Sequence, residues 1–345
     1  MDKILSIIVP TYNMEKYLQN CLDSLLLSEK QMQDYEVWII NDGSKDSSSE
    51  IAHSYELRYP DTFRVVDKNN GNYGSCINCG LKSASGKYIK VLDADDTFDN
   101  LHFSSYLNFL KDTEVDLVVT DYNIVNEDGK VLKKITFPLN KGEVCQMSPQ
   151  ILENYFLTLD YQMHSVTYNR RIFSTLNYNQ TEGVSYTDQE WMFVPMTQVN
   201  TFVYFDGSLY QYLLGRVGQT MSPELQKKHI NDVEIGTLKM LNDYEKYQNS
   251  IYTKYLQKRL CYRFKELYQY YIMDNSVVSR QHIEEWNNRI KKHSTLYQRS
   301  NQIVLNRYFP YKFIKHYRTS HHIIPLLMVK LYYDLSLLVY SFNHK

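Results

Sequence analysis

The stretch YIKVLDADD, Tyr88 to Asp96, begins with residues suited to a buried strand and then sets three carboxylates within four positions. Like charges this close repel one another, so the cluster calls for a cation or a run of backbone donors among it; a solvated turn is the plain structural alternative. The surrounding sequence decides between them. From residue 4 to about 120, strand-like and helical patterns alternate: ILSIIV, an apolar-periodic stretch with Leu18, Leu22, Leu25 and Leu26, YEVWII, a second helical stretch, FRVV, a third, and YIKVL. The order is βαβαβαβ. Near-continuous apolar strands separated by helices predict a parallel sheet covered on both faces, with ligands bound beyond the carboxyl ends of the strands. Asp93 stands at one such end, VPTYN (Val9 to Asn13) at the first, and NDGSKDSS (Asn41 to Ser48) at the second, so all three are expected to face one crevice. Ser47 and Glu50 have capping-box spacing for the helix after the second strand, which puts Asp42 in the loop before it.

With 345 residues of ordinary apolar content, the chain can build two domains or one with an appendage. A net charge of −1 argues against a dedicated nucleic-acid binder. Five cysteines without disulfide-framework spacing, and no signal peptide before the first strand, suggest a reduced, cytoplasmic protein. Cys76 and Cys79 have C-x-x-C spacing, but no second pair follows and the segment is patterned as a helix, so chance spacing is the preferred reading.

Beyond residue 112 hairpin-like segments appear, with VDLVVTDYNIV and KVLKKITF joined through Asn126 to Gly129. After about residue 222 the chain is helical in pattern, poor in Gly and rich in Tyr. The expected organisation is a domain over 1–225 and a helical, basic, Tyr-rich domain over 226–345.

Together, SIIVPTYNMEKYLQNCLDSLL, YEVWIINDGSKDSS, NNGNYGSCINCGLKSASGKYIKVLDADD and YTDQEW resemble the family 2 glycosyltransferases of GT-A fold, especially bacterial capsule and exopolysaccharide enzymes. The resemblance covers roughly the first 220 residues in order and spacing. It implies an α/β, Rossmann-like, mostly parallel domain that moves a sugar from a UDP-sugar donor to a glycan or lipid-linked acceptor hydroxyl with inversion. The departing nucleoside diphosphate gathers negative charge, and a hard divalent cation such as Mn²⁺ or Mg²⁺ with oxygen ligands suits it. Asp93 and Asp95 fit the D-x-D pattern; in an extended segment they would point the same way, converge on one ion and the ribose, and leave Asp96 facing elsewhere. By motif position, Thr11 and Tyr12 are expected on the uridine side, Asp42 at the base, and Asn72 near the nucleotide. The chain departs from pattern at Ile77, where many relatives carry Arg before the asparagine matched by Asn78, so one basic donor contact is missing.

Inversion needs a base on the face opposite the leaving group. Asp188 in TDQEW holds the position of the family's catalytic aspartate, and Thr187 with Glu190 has capping-box spacing that puts it in a helix's first turn, where the dipole favours the ionised form. The structural alternative is that Asp188 only complements that dipole. YQYLLGRVGQTMS resembles the segment that closes over the diphosphate, with Arg216 as phosphate contact; it lacks the Q-x-x-R-W pattern of processive synthases, which implies one sugar per acceptor.

Between Glu285 and Asp334 no acidic residue occurs, whereas nine Lys and Arg do, from Arg289 to Lys330. Ile324, Leu327, Met328, Leu331, Leu335 and Leu338 then recur at helical spacing, interrupted by Lys330, Asp334 and Pro325, so the run does not span a bilayer. Two readings stay open: a core helix of the tail, or a surface for anionic lipid on the inner face of the plasma membrane. Donor sugar, acceptor and oligomeric state are not readable. Two rival functions remain: a silent nucleotide-binding scaffold of a glycan-assembly complex, against which intact Asp93, Asp95 and Asp188 argue, and a haloacid-dehalogenase-type phosphatase. The phosphatase's D-x-D-x-T motif fits Asp93 to Thr97, but it normally follows the first strand of that fold.

Overall fold

The computed structural model describes residues 3–159, 161–216, 229–274, 276–304, 311–320, 331, 334 and 335. The chain divides into two compact units, 1–219 and 220–345. The boundary expected near residue 225 lies outside the described residues.

In the first unit, β1 (Leu5–Thr11), β2 (Tyr35–Asn41), β3 (Phe63–Asp67) and β4 (Tyr88–Val91) pair in parallel in the order β3-β2-β1-β4. Every residue of β1 and β4 is buried, as strands covered on both faces require. The chain winds outward from β1 to β3 and then returns to the other side of β1 with β4. That reversal opens a crevice at the carboxyl ends of β1 and β4, where ligands of open α/β sheets bind. Helix Asn72–Ser83 closes one face at short range: a Cβ on Gly80 would lie 2.5 Å from the side chain of Ile8.

The sheet is less parallel than expected beyond β4. The short strand β9 (Val166–Asn169) runs antiparallel between β4 and β6 (Leu117–Val125). β10 (Thr201–Leu213) then lies parallel to β6 and antiparallel to β5 (Thr97–Phe98) and to β8 (Cys145–Gln146). The hairpin through Asn126 forms, with β7 (Val131–Ile135) antiparallel to β6. Asn126 Oδ1 accepts from Lys130 N at 2.8 Å. β10 matters most to the crevice, because it returns across the sheet and delivers Tyr210, Leu213 and Arg216 beside the end of β4.

The capping box expected at Ser47 and Glu50 does not form. Ser47 makes no side-chain cap bond to helix Ser48–Arg58; instead Asp46 Oδ1 accepts from Ser48 N at 3.1 Å and from Ser48 Oγ at 2.6 Å. Ser47 N, which a capping box would give to Glu50, donates to Glu15 Oε2 at 3.1 Å. Cys76 and Cys79 lie on helix Asn72–Ser83 as free thiols.

The second unit consists, in its described part, of helices Ile230–Tyr247, Thr253–Asp274, Val277–Lys291, Ser294–Ser300 and Phe313–Thr319. Leu256, Leu260, Phe264, Trp286 and Ile290 are buried together with Tyr244, Tyr255 and Tyr268. One member of the basic run is a packing element. Arg318 donates to Asn287 Oδ1 at 2.7 Å, Asn301 Oδ1 at 2.7 Å and Ser300 Oγ at 2.8 Å, and lies 4.0 Å from the Tyr297 ring centroid. Lys291, Lys292, Lys312 and Lys315 are exposed. Most of the amphipathic run from Ile324 to Leu338 lies outside the described residues, and no helix among the described residues is long and apolar enough to cross a membrane.

Candidate active site

Beyond Val91 the chain turns. Asp96 N donates to Asp93 O at 2.9 Å, so Asp93 to Asp96 form a turn and the extended geometry expected for the D-x-D pair does not hold. Asp96 consequently does not face elsewhere. It is 1% exposed, with Oδ2 accepting from Tyr210 Oη at 2.6 Å and Oδ1 from Leu213 N at 2.7 Å. Burial pushes its carboxyl well above the usual carboxylate range, and the charges of Asp95 and Asp93 add to the effect. The same Tyr210 oxygen accepts from Asp93 N at 3.1 Å, which ties the turn to β10.

Asp93 Oδ1 accepts from Tyr73 Oη at 2.9 Å. Its carboxyl is pushed up to about 7, first by desolvation and then by the Asp95 charge; Asp188 pushes the same way, while the Tyr73 bond and Arg216 oppose. Asp188 therefore lies within electrostatic reach of the turn, and it also raises Tyr73 and Tyr212. Asp95 forms an ion pair with Arg216, both side chains largely buried, and the guanidinium lies 5.6 Å from the Tyr17 ring centroid. The structure thus brings Asp93, Asp95, Asp188 and Arg216 together.

The first and second loops are laced to each other. Asn13, at φ +53°, accepts from Lys45 N at 2.8 Å, and Asn13 N donates to Ser44 Oγ at 3.0 Å. Thr11 is buried with its hydroxyl on Val9 O at 3.2 Å, whereas Tyr12 is 46% exposed. Asp42 is buried against Lys68, whose ammonium also reaches Ser75 Oγ at 2.8 Å, and Asp42 Oδ1 accepts from Gly71 N at 2.9 Å. Asn72 opens helix Asn72–Ser83 at φ +63°, a left-handed conformation that asparagine tolerates better than most residues.

Asp188 begins the four-residue helix Asp188–Trp191, and its Oδ2 accepts from Gln189 Nε2 at 2.9 Å. The capping box expected at Thr187 and Glu190 is absent. Thr187 Oγ1 accepts from Gln180 Nε2 at 3.0 Å, and Glu190 Oε2 accepts from Thr181 N at 3.0 Å, so both side chains hold the preceding loop and leave the helix N-terminus uncapped by them.

A divalent cation fits this chemistry. Asp93, Asp96 and His164 each offer a ligand atom, all within 4.8 Å of one another. His164 Nδ1 is buried without a hydrogen-bond partner, and burial helped by Lys90 pushes the ring down to about 3, leaving a neutral imidazole. The carboxylate oxygens suit Mn²⁺ or Mg²⁺, an imidazole beside them favours the transition ion Mn²⁺ over Mg²⁺, and the mutual repulsion of the carboxylates is what a cation relieves. Sequence reasoning missed His164, Lys68, Tyr73, Tyr210 and Gln180, all of which act across long stretches of chain. Only Lys68 had a local signal, as the cation following a strand end.

The raised Asp93 carboxyl has a measurable consequence. An unfolded aspartate ionises near about 4, so the extra stability from holding the proton is fully present below that value and is lost as pH rises through about 7. In metal-free buffer, the urea stability of the wild type relative to Asp93→Asn should fall between pH 5 and 7, by up to about 1.4 kcal/mol per pH unit, and then level off. A difference independent of pH would remove the proton from Asp93.

The family model for glycosyl transferase family 2 matches residues 6–177, which hold β1 to β4 and the Asp93–Asp96 turn. Residues 6–177 belong to glycosyl transferase family 2. Among curated relatives, the Bacillus subtilis glycosyltransferase EpsJ is 29% identical over 192 residues, 54% of either chain. The B. subtilis minor teichoic acid biosynthesis protein GgaB is 36% identical over 115 residues, covering 33% of this chain and 13% of that one. The chain thus spans about half the length, or less, of these relatives. Residues 1–349 of Staphylococcus aureus TarS, solved with UDP-GlcNAc, superpose with a TM-score of 0.62 at 19% identity over 92% of this chain and 90% of that one. The mannosyltransferase PcManGT of Pyrobaculum calidifontis, in complex with GDP-Man and Mn²⁺, gives 0.50 at 12% identity over 87% and 84%. These likenesses establish the GT-A fold. A strand-first D-x-D-x-T phosphatase is excluded by it, since β1 to β3 precede Asp93.

Proposed function

We propose that this glycosyltransferase-family chain is a metal-dependent, inverting and non-processive enzyme that transfers one sugar from a UDP-sugar to a hydroxyl of a glycan or lipid-linked acceptor, in the building of a bacterial surface polysaccharide or teichoic acid. The observation that carries the reading is the gathering of Asp93, Asp95 and Asp188 with Arg216 where β4 and β10 end. Thr11, Tyr12 and Asn72 border the uridine end, where Asp42 and Lys68 offer an acceptor and a donor to the edge of a base. Lys68 supplies a cation on the donor side although Ile77 cannot.

Asp93, with Asp96 and His164, would hold the cation, and Asp95 would join them once Arg216 turns to the donor. When bound, the cation offsets the charge that builds on the departing diphosphate. Arg216 leaves Asp95 for a phosphate oxygen when the donor enters. Asp188 takes the proton of the acceptor hydroxyl as the new C–O bond forms and the sugar–phosphate bond breaks, its electron pair staying with the diphosphate. One displacement inverts the anomeric carbon.

The UDP and UDP-GlcNAc complexes of TarS and the GDP-Man and Mn²⁺ complex of PcManGT support a nucleotide-sugar donor. The test is a panel of nucleotide sugars incubated with the chain and Mn²⁺, Mg²⁺ or chelator, reading release of nucleoside diphosphate to water. A UDP-sugar should turn over slowly and only with metal. No turnover of any donor, with UDP still bound, would favour the scaffold reading.

A further inference from the structure

Asp188 is carried by a loop that is held from outside itself. The backbone takes left-handed conformations at Asn177 (φ +47°), Gly183 (φ +76°) and Tyr186 (φ +60°), the last of them two positions before Asp188. A tyrosine there is strained and persists only where its surroundings over-determine it. Those surroundings are helix Asn72–Ser83. Asn78 Oδ1 accepts from Gln180 N at 2.8 Å, while Asn78 Nδ2 donates to Gln180 O at 2.9 Å and to Glu182 Oε1 at 2.8 Å. Gly183 N donates to Gly71 O at 2.8 Å. A Cβ on Gly74 would lie 1.9 Å from Thr181 O, so only glycine permits this approach.

Gln180 is the node of the arrangement. It is fully buried, and beyond its two backbone bonds to Asn78 its Oε1 accepts from Tyr178 Oη at 3.1 Å and its Nε2 donates to Thr187 O at 2.9 Å and Thr187 Oγ1 at 3.0 Å. The amide therefore grips the residue between the strained Tyr186 and Asp188. The same helix begins with Asn72 and sends Tyr73 to Asp93. The frame that holds the donor-side turn also holds Asp188.

We infer that Gln180, itself fixed by Asn78, is a positioning residue that sets the place of the Asp188 carboxylate relative to the Asp93–Asp96 turn. The inference rests on the reading of Asp188 as the base. Without the grip on Thr187, Tyr186 relaxes out of the left-handed region and the carboxylate shifts, and a displacement of about 1 Å in a reacting geometry costs up to about 10²-fold in rate.

The test is a mutant cycle of wild type, Gln180→Met, Asp188→Asn and the double variant, with kcat, donor KM and UDP affinity by calorimetry. Methionine keeps the length of the side chain and removes only the amide. Gln180→Met should lower kcat by about 10- to 100-fold, leave donor KM and UDP affinity within about twofold, and add almost nothing on top of Asp188→Asn. Thr187→Val, which removes one acceptor at the loop, serves if Gln180→Met does not fold, with a smaller fall in kcat and the same lack of additivity. Losses that multiply in the double variant, or a fall in UDP affinity matching the fall in kcat, overturn the inference while leaving the base assignment standing. If Asp188→Asn by itself keeps the transfer rate, the base assignment fails and the inference with it.

Discussion

Asp188→Asn is expected to lower transfer to the acceptor by about 10²-fold or more, while UDP affinity stays near that of the wild type. The exchange is nearly isosteric, so Gln189 Nε2 can still find an oxygen on residue 188. What disappears is the ability to accept a proton. It also removes one of the charges that raise Asp93 and Tyr73. Asp93 should therefore ionise more readily in the variant, and metal-supported UDP binding should hold or tighten slightly. Loss of transfer with retained or improved UDP binding separates a missing base from a damaged donor site, in which the two would fall together. The measurement is acceptor-dependent UDP release beside calorimetry on the same preparation. A variant that keeps most of its transfer rate would place the base on another residue.

The fold was legible where burial is complete and the pairing parallel. β1 and β4 are buried along their whole length, so they read as near-continuous apolar runs, interrupted by Ser6 in the one and Lys90 in the other, and the helices between them mark the crossovers. β9 was not legible. It has four residues, and it is a strand because β4 and β6 flank it, which no local pattern encodes. The candidate site divides along the same line. Asp93, Asp95, Asp188 and Arg216 stood out because their motifs are local. Asp96 was misjudged because its partners, Tyr210 and Leu213, lie 114 and 117 residues away; they draw it inward and bend the segment into a turn. Both capping boxes failed for a related reason. The spacing was present, but in one case Glu15 holds Ser47 N, the donor meant for Glu50, and in the other the Gln180–Thr181 segment holds the side chains of Thr187 and Glu190. A motif states which bonds a residue can make, and the tertiary neighbours decide which it does make.

Asp95→Ala should act in opposite senses with and without metal. In Mn²⁺, loss of a ligand carboxylate should weaken UDP binding by about 10²-fold, since even outer-shell changes at metal sites cost 10- to 100-fold in affinity. In chelator the expectation differs, because Asp95 is the partner of Arg216. A diphosphate arriving without metal must compete with that carboxylate for the guanidinium, and truncation removes the competitor. UDP affinity in chelator should therefore be equal to or tighter than that of the wild type. Arg216→Ala, in contrast, should weaken UDP in both buffers, because it removes the cation and leaves Asp95 buried beside Asp93 and Asp96 without its counter-charge. Calorimetric titration of UDP into the three proteins, each in Mn²⁺ and in chelator, gives six affinities whose ordering follows from one ion pair. If the wild type binds UDP equally well in the two buffers, no cation bridges the carboxylates and the diphosphate. If Asp95→Ala weakens binding equally in both, Asp95 supports the crevice by some route other than a metal.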